Sequence, residues 1–186
     1  MTVEELLASQ VRRYEFISQH ESGHAAAGAL LGLVPVEIEV VSEPLRTAGQ
    51  VRFKDRPATS DAVVRKFALM VLGGWMATDE EPPGWPPDDE AAESDERALA
   101  ALVQHLRLDK TGYAALTSEG WRLAASDEFG LVEHAIKSAL RYRCFLDAEE
   151  IANLLLIALG TERTAELYGV DLDNRTRSEE AMADAA

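Results

Sequence analysis

Apolar residues recur along the N-terminal stretch at steps of three and four: Val3, Leu6, Leu7, Val11, Tyr14 and Ile17, resumed by Ala27 and Leu31. This is the period of an amphipathic helix, so a helix is predicted over Val3–Leu31, with Gly32 where a C-cap belongs. The step then changes to two. Val36–Val41 (VEIEVV) is alternating and β-branched, Gln50–Phe53 (QVRF) is a second strand-like run, and Pro44 and Gly49 between them predict a small hairpin. Helical spacing returns at Val63, Val64, Phe67, Val71 and Trp75, which predicts a helix from about Asp61 to Thr78, capped by Thr59 or Ser60. Gly73–Gly74 inside it costs about 1 kcal/mol per residue relative to Ala. Such a pair marks a close approach by another backbone or an early stop.

Asp79–Glu93 breaks both periods. It contains Pro82, Pro83, Pro86 and Pro87 and seven acidic residues, and it reads as an exposed loop. Beyond it the pattern is helical. Ser94 caps a helix to about Leu108, and two more are predicted over Thr111–Ala125 and Asp127–Arg143. Asp147 caps Ala148–Leu159, with Glu150 at the capping-box position. A short last helix, Thr161–Tyr168, is closed by Gly169. The predicted fold class is mainly α: a helical bundle with a small β-sheet after the first helix. One domain spans residues 1–170, and residues 171–186 form a small, charged tail expected to be disordered.

Composition narrows the function classes. Lys and Arg total 18 against 33 Asp and Glu, a net charge of −15. Such a chain is poorly suited to phosphate backbones or anionic lipid surfaces, so neither nucleic acid nor a membrane is an expected partner. The single cysteine, Cys144, permits no intrachain disulfide and no CxxC metal site. The longest apolar stretches, Ala25–Val36 and Phe67–Ala77, fall far short of the roughly 18–20 residues of a membrane helix. Met1–Gln10 lacks the basic and apolar segments of a signal peptide. A cytoplasmic location is the expectation.

The candidate chemistry lies in His20-Glu21-Ser22-Gly23-His24, inside the first predicted helix. Positions i and i+4 share a helix face, so His20 and His24 can offer two imidazole nitrogens to one metal ion. Glu21, rotated by about 100°, can lie beside that ion and take a proton from water. This is the HExxH arrangement of zinc hydrolases. Chance produces the pattern in roughly one such chain per hundred, and the bland alternative is a polar helix face carrying two surface histidines. Zinc in a hydrolase site needs a third protein ligand. Ala27 and Leu30 stand where the HExxHxxGxxH form would place Gly and His, and His105 and His134 read as ordinary mid-helix residues. A carboxylate is therefore expected, and Asp95, in the first turn of a helix after the Pro-rich loop, is the best placed. Glu90 and Glu93 are its rivals.

These residues resemble a family. Ile17-Ser-Gln-His-Glu-Ser-Gly-His-Ala-Ala looks like the zinc-site helix of the FtsH-type AAA metalloproteases, whose signature reads HEAGHA. That helix is followed in the family by Pro-Val and a strand, a Gly before a second strand, and a helix with Gly-Gly. Here these are Pro35-Val36, Ile38–Val41, Gly49 with Val51–Phe53, and Leu72-Gly73-Gly74-Trp75-Met76-Ala77. The family's third ligand is an Asp opening a helix, and Ser94-Asp95-Glu96-Arg97-Ala98 falls at a comparable distance. The resemblance covers about residues 10–168. It departs at Trp75, where the family usually has Arg, and at Thr78-Asp79, where it has an acidic pair. Only 19 residues precede His20, so the peptidase unit is expected to stand alone, without the AAA unfoldase or the transmembrane anchor.

The resemblance implies a zinc metalloendopeptidase with an FtsH-like peptidase fold. Zinc held by His20, His24 and Asp95 would activate water and polarise the scissile carbonyl, with Glu21 as general base. The expected substrates are peptides or unfolded, flexible polypeptide, without ATP, bound along the sheet edge near Val36–Val41 or Gln50–Phe53. A homo-oligomer or a separate unfoldase partner is compatible with this reading. The competing readings are a regulatory metallopeptidase of one partner protein, an inactive zinc-binding interaction module, and an adaptor without metal.

Overall fold

A computed structural model describes residues 2–43, 46–54, 60–90 and 94–168. Thr59, Pro44, Glu93, Gly169 and the tail 171–186, all named above, lie outside the described residues.

The first helix, α1, spans Val3–Leu30 and is set by local signals at both ends. Thr2 Oγ1 accepts from Glu5 N at 3.1 Å and Thr2 N donates to Glu5 Oε2 at 2.7 Å, a reciprocal capping box. At the other end Gly32 adopts φ 74°. Gly32 N then donates to Ala29 O at 2.9 Å and Leu33 N to Gly28 O at 2.8 Å, closing the helix in a Schellman motif. The second half of α1 is buried on every side: Glu21 to Ala29 are all in the interior. Short side chains let neighbouring elements approach there from several directions.

Strands β1 (Pro35–Glu43) and β2 (Arg46–Phe53) form the antiparallel hairpin and are longer than the sequence pattern implied. A third strand, β3 (Phe145–Asp147), pairs antiparallel with β1, Ile38 opposite Leu146, giving the order β2-β1-β3. Three residues carry no readable period, so β3 was not foreseen. It makes β1 the central strand.

Helix α2 covers Asp61–Ala77, with Ser60 Oγ accepting from Val63 N at 3.4 Å. It runs through Gly73–Gly74 without stopping, so the pair marks a close approach. A Cβ on Gly23 would lie 2.3 Å from Gly73 O, and one on Gly73 2.7 Å from Gly23 O. Two helix backbones touch there, as only glycine permits.

The remaining helices are α3 (Ser94–His105), α4 (Lys110–Ala124), α5 (Asp127–Leu140) and α6 (Ala148–Tyr168). α3 and α5 end three residues before the predicted Leu108 and Arg143. Asp109 and Ser126 cap α4 and α5. Asp147 Oδ1 accepts from Glu149 N and Glu150 N, while Asp147 N donates to Glu150 Oε2. α6 joins the two predicted C-terminal helices across Gly160, whose φ of 78° breaks the helical run between them. The fold is therefore mainly helical with a small antiparallel sheet. No described helix is long and apolar enough to cross a membrane.

Two apolar cores flank the α1–α2 contact. Ile38, Val132, Ile136, Leu146 and Leu155 fill one, between α1, the sheet, α5 and α6. Leu69, Leu72, Leu99 and Leu116 fill the other, between α2, α3 and α4. The Pro-rich segment is the largely exposed loop expected, and it is also fastened at a few points to the second core. Pro87 is buried, and the Trp85 ring lies 5.6 Å from that of Tyr113. Tyr113 Oη donates to Pro83 O at 2.7 Å, and Asp88 N donates to Glu96 Oε1 at 3.2 Å. Prolines cannot continue a helix, but they lower the entropy lost when a strap is tied down.

Burial first, and then the charge of Glu96, push the Tyr113 phenol up to about 12 against a relieving hydrogen bond with Thr117. Below pH 10 the phenol is protonated whether the chain is folded or not. Between about 10 and 12 only the unfolded chain loses the proton, so stability falls across that window. Tyr113→Phe should remove this part of the alkaline loss. Urea midpoints measured from pH 9 to 11.5 check it: equal slopes against pH in the two proteins would contradict the assignment.

Candidate metal centre

His20 and His24 lie one turn apart on α1, with Nε2 of both directed at the same carboxylate oxygen. Asp95 Oδ2 is 2.9 Å from His20 Nε2 and 3.1 Å from His24 Nε2. Four ligands on zinc at 2.0–2.1 Å in a tetrahedron stand about 3.3–3.4 Å apart. The two sides that meet at Asp95 are close to that spacing, and all three ligand atoms lie within 4.8 Å of one another. Asp95 reaches the site because α3 begins there, at the end of the strap fastened by Tyr113 and Trp85.

The hydrogen bonds of His24 limit what can lie between it and Asp95. His24 Nδ1 is 3.0 Å from the Met70 carbonyl, an acceptor only, so Nδ1 carries a proton. Nε2 faces the Asp95 carboxylate, also an acceptor only. A neutral imidazole has one N–H, so either a second proton or a metal ion must occupy the space between Nε2 and Oδ2. Burial drives His24 down, but the hydrogen bond and charge of Asp95, the charge of Glu21 and the Met70 carbonyl together raise it above its ordinary value. Asp95 shows the converse. Burial pushes it up, yet the hydrogen bonds and charges of His20 and His24 hold it well below the usual carboxylate range.

Glu21 is 6% exposed. Its side chain lies against β2 at Gly49, where a Cβ would come within 2.4 Å of Glu21 Cγ and 2.5 Å of Oε1. Burial raises its pKa, and Asp95 adds to that, while His24 and His20 pull it down. Net elevation moves a carboxylate toward the range where a general base can both take and return a proton near neutrality. The triad and Glu21 line a cleft of about 550 Å³ between α1, α2, α3 and β2, with Ala48–Val51 along one wall.

The other sequence candidates lie elsewhere. Glu90 is exposed, and its N–H donates to Asp88 Oδ1 at 2.9 Å; it is not part of the cluster. His105 sits 3.8 Å from Asp61 and His134 3.5 Å from Ser138, both outside the site. β3 pairs with Glu37–Glu39, so the β1 edge proposed for substrate along Val36–Val41 is taken over that stretch. Among the described residues β2 is bonded on one side only, and its Ala48–Val51 segment faces the cleft.

Sequence reasoning missed two constituents of the site. One is the Met70 carbonyl, which no residue type could signal. The other is Gly74. A Cβ there would lie 2.5 Å from His24 Cε1, 2.6 Å from His20 Nε2 and 2.7 Å from His24 Nε2. The first glycine of the pair admits the α1 backbone; the second admits the imidazole rings. Gly74→Ala should therefore lose metal affinity although it gains roughly 1 kcal/mol of helix propensity. A displacement of the rings by half an ångström or more is expected to weaken binding about 10–100-fold. Zinc titration against a competing chelator reads this directly; unchanged affinity would show that the rings can yield.

No protein-family model matches the chain, and no curated protein matches it.

Proposed function

We propose that the protein is a zinc-dependent metalloendopeptidase with an FtsH-type peptidase fold, acting without ATP on flexible or unfolded polypeptide. One observation carries the reading: both nitrogens of His24 face acceptors, in a cluster shared with His20 and Asp95, with a buried glutamate beside it. A purely structural zinc site has no use for Glu21.

A zinc ion in this site would supply Lewis acidity, polarising a carbonyl and making water a better acid. The chain's own residues do the rest. Met70 holds His24 in the tautomer that leaves Nε2 available. Asp95 balances part of the ion's charge. Glu21, raised by burial and open to the cleft, takes a proton from water and delivers it to the leaving amine. The edge of β2 that is unpaired among the described residues can align an extended peptide by main-chain hydrogen bonds, which demands a segment free of its own tertiary structure.

Elemental analysis and cleavage of fluorescent casein test the proposal. About one zinc per chain is expected, with casein cleavage that stops on chelation and returns with zinc. Zinc without casein cleavage would favour a peptidase dedicated to one partner, or an inactive module. Absence of any metal affinity would end the proposal.

A further inference from the structure

The two histidines of the centre are held in unlike ways. His24 is oriented by a hydrogen bond from Nδ1 to Met70 O. His20 Nδ1 is buried and has no hydrogen-bond partner among the described residues. Metal-binding histidines ordinarily donate that proton to a carbonyl or carboxylate, which fixes the ring plane. Something else must therefore keep the His20 ring from turning about its Cβ–Cγ bond. Aromatic rings surround it. Phe16, one turn earlier on α1, stacks with it at 6.4 Å between centroids and 25° between planes. Trp75, from α2, meets it edge to face at 6.0 Å and 86°. His24 closes a further side at 4.6 Å and 89°.

We propose that Phe16 and Trp75 are positioning residues for His20: an aromatic clamp that sets its ring plane in place of the missing Nδ1 hydrogen bond. The inference rests on the metal-centre reading above and goes beyond it. Both contacts have geometries that aromatic pairs favour, offset-stacked and T-shaped. One ring lies nearly parallel to the imidazole and the other nearly perpendicular to it, so turning the imidazole about its Cβ–Cγ bond would disturb both contacts. Trp75 is 6% exposed and anchored in the α2–α3–α4 core, a rigid wall. Phe16 is 39% exposed and lines the cleft beside His20.

Cobalt(II) is the probe, since its visible absorption reports the geometry of its ligands. Full-length protein and the Phe16→Leu, Phe16→Tyr, Trp75→Phe and Val11→Ala variants are titrated with Co²⁺ against a competing chelator. Melting curves of the metal-free proteins are recorded alongside. Phe16→Leu is expected to bind Co²⁺ about 10–100-fold more weakly, with an altered visible band, at a melting temperature matching the parent. Phe16→Tyr keeps the ring and should restore both affinity and band. Trp75→Phe should weaken binding, because the smaller ring loosens the contact with His20, without unfolding the protein, because an aromatic ring still fills the core. Val11, exposed on the same helix, provides the control and should change nothing. Parent-like affinity and spectrum in both Phe16→Leu and Trp75→Phe would overturn the clamp while leaving the metal centre standing. A parent that binds no Co²⁺ would overturn both.

Discussion

Glu21→Gln is expected to retain zinc and fold while reducing peptide hydrolysis on the order of 10²–10⁴-fold. Gln has nearly the size of Glu, and Glu21 is packed too tightly against Gly49 to accept a larger change. The substitution removes only the capacity to hold a proton. It also removes a buried negative charge, whose desolvation is the largest influence on Glu21. The folded protein should therefore be no less stable, and resistance to urea is expected to hold or rise at neutral pH. This separates the variant from an unfolded one. The measurement is kcat/KM on a fluorogenic peptide, with zinc content determined on the same sample. Hydrolysis at the parental rate with zinc in place would remove Glu21 from the reaction.

Asp95→Ala should lose metal. Structural zinc sites bind with roughly 10–16 kcal/mol shared among four ligands, so one ligand accounts for about 3 kcal/mol, or some hundredfold in affinity. Two imidazoles alone rarely retain zinc against water and buffer. The variant should nevertheless fold. The Asp95 side chain is 33% exposed, and it opens α3 instead of filling a core. Its loss also withdraws the hydrogen bond and charge that raise His24. Burial then dominates and His24 should titrate at lower pH than in the parent. A zinc titration gives the affinity, and a histidine NMR titration of the metal-free protein gives the shift in His24. Stoichiometric zinc in Asp95→Ala would place the third ligand elsewhere.

How much of this was legible beforehand depends on how far each signal reaches along the chain. His20 and His24 are neighbours because a helix turns 3.6 residues per cycle, and the α1 period announced that helix. Caps at Ser60 and Asp147 are local in the same sense: each side chain bonds an N–H two or three residues away. So is the break at Gly160, a residue suited to its φ of 78°. Asp95 could be named as a ligand only by its helix-start position and by resemblance, since nothing local carries it 71 residues back to His24.

The tertiary structure decided the rest. It added β3, three residues that are a strand only because β1 lies beside them. It tied the Pro-rich loop to Tyr113 of α4 and, through Asp88 N and Glu96, to the first turn of α3. It chose close approach over an early stop at Gly73–Gly74, and gave the second glycine to the histidine rings. It buried Glu21 beneath Gly49, which raised its pKa. The sequence by itself determined the helices to within a few residues at their ends, and the pairing of two imidazoles, because those depend on hydrogen bonds and periods within a turn or two. The placement of a third ligand, the burial of a base and the walls around His20 depend on contacts between distant segments, and those exist only once the cores have packed.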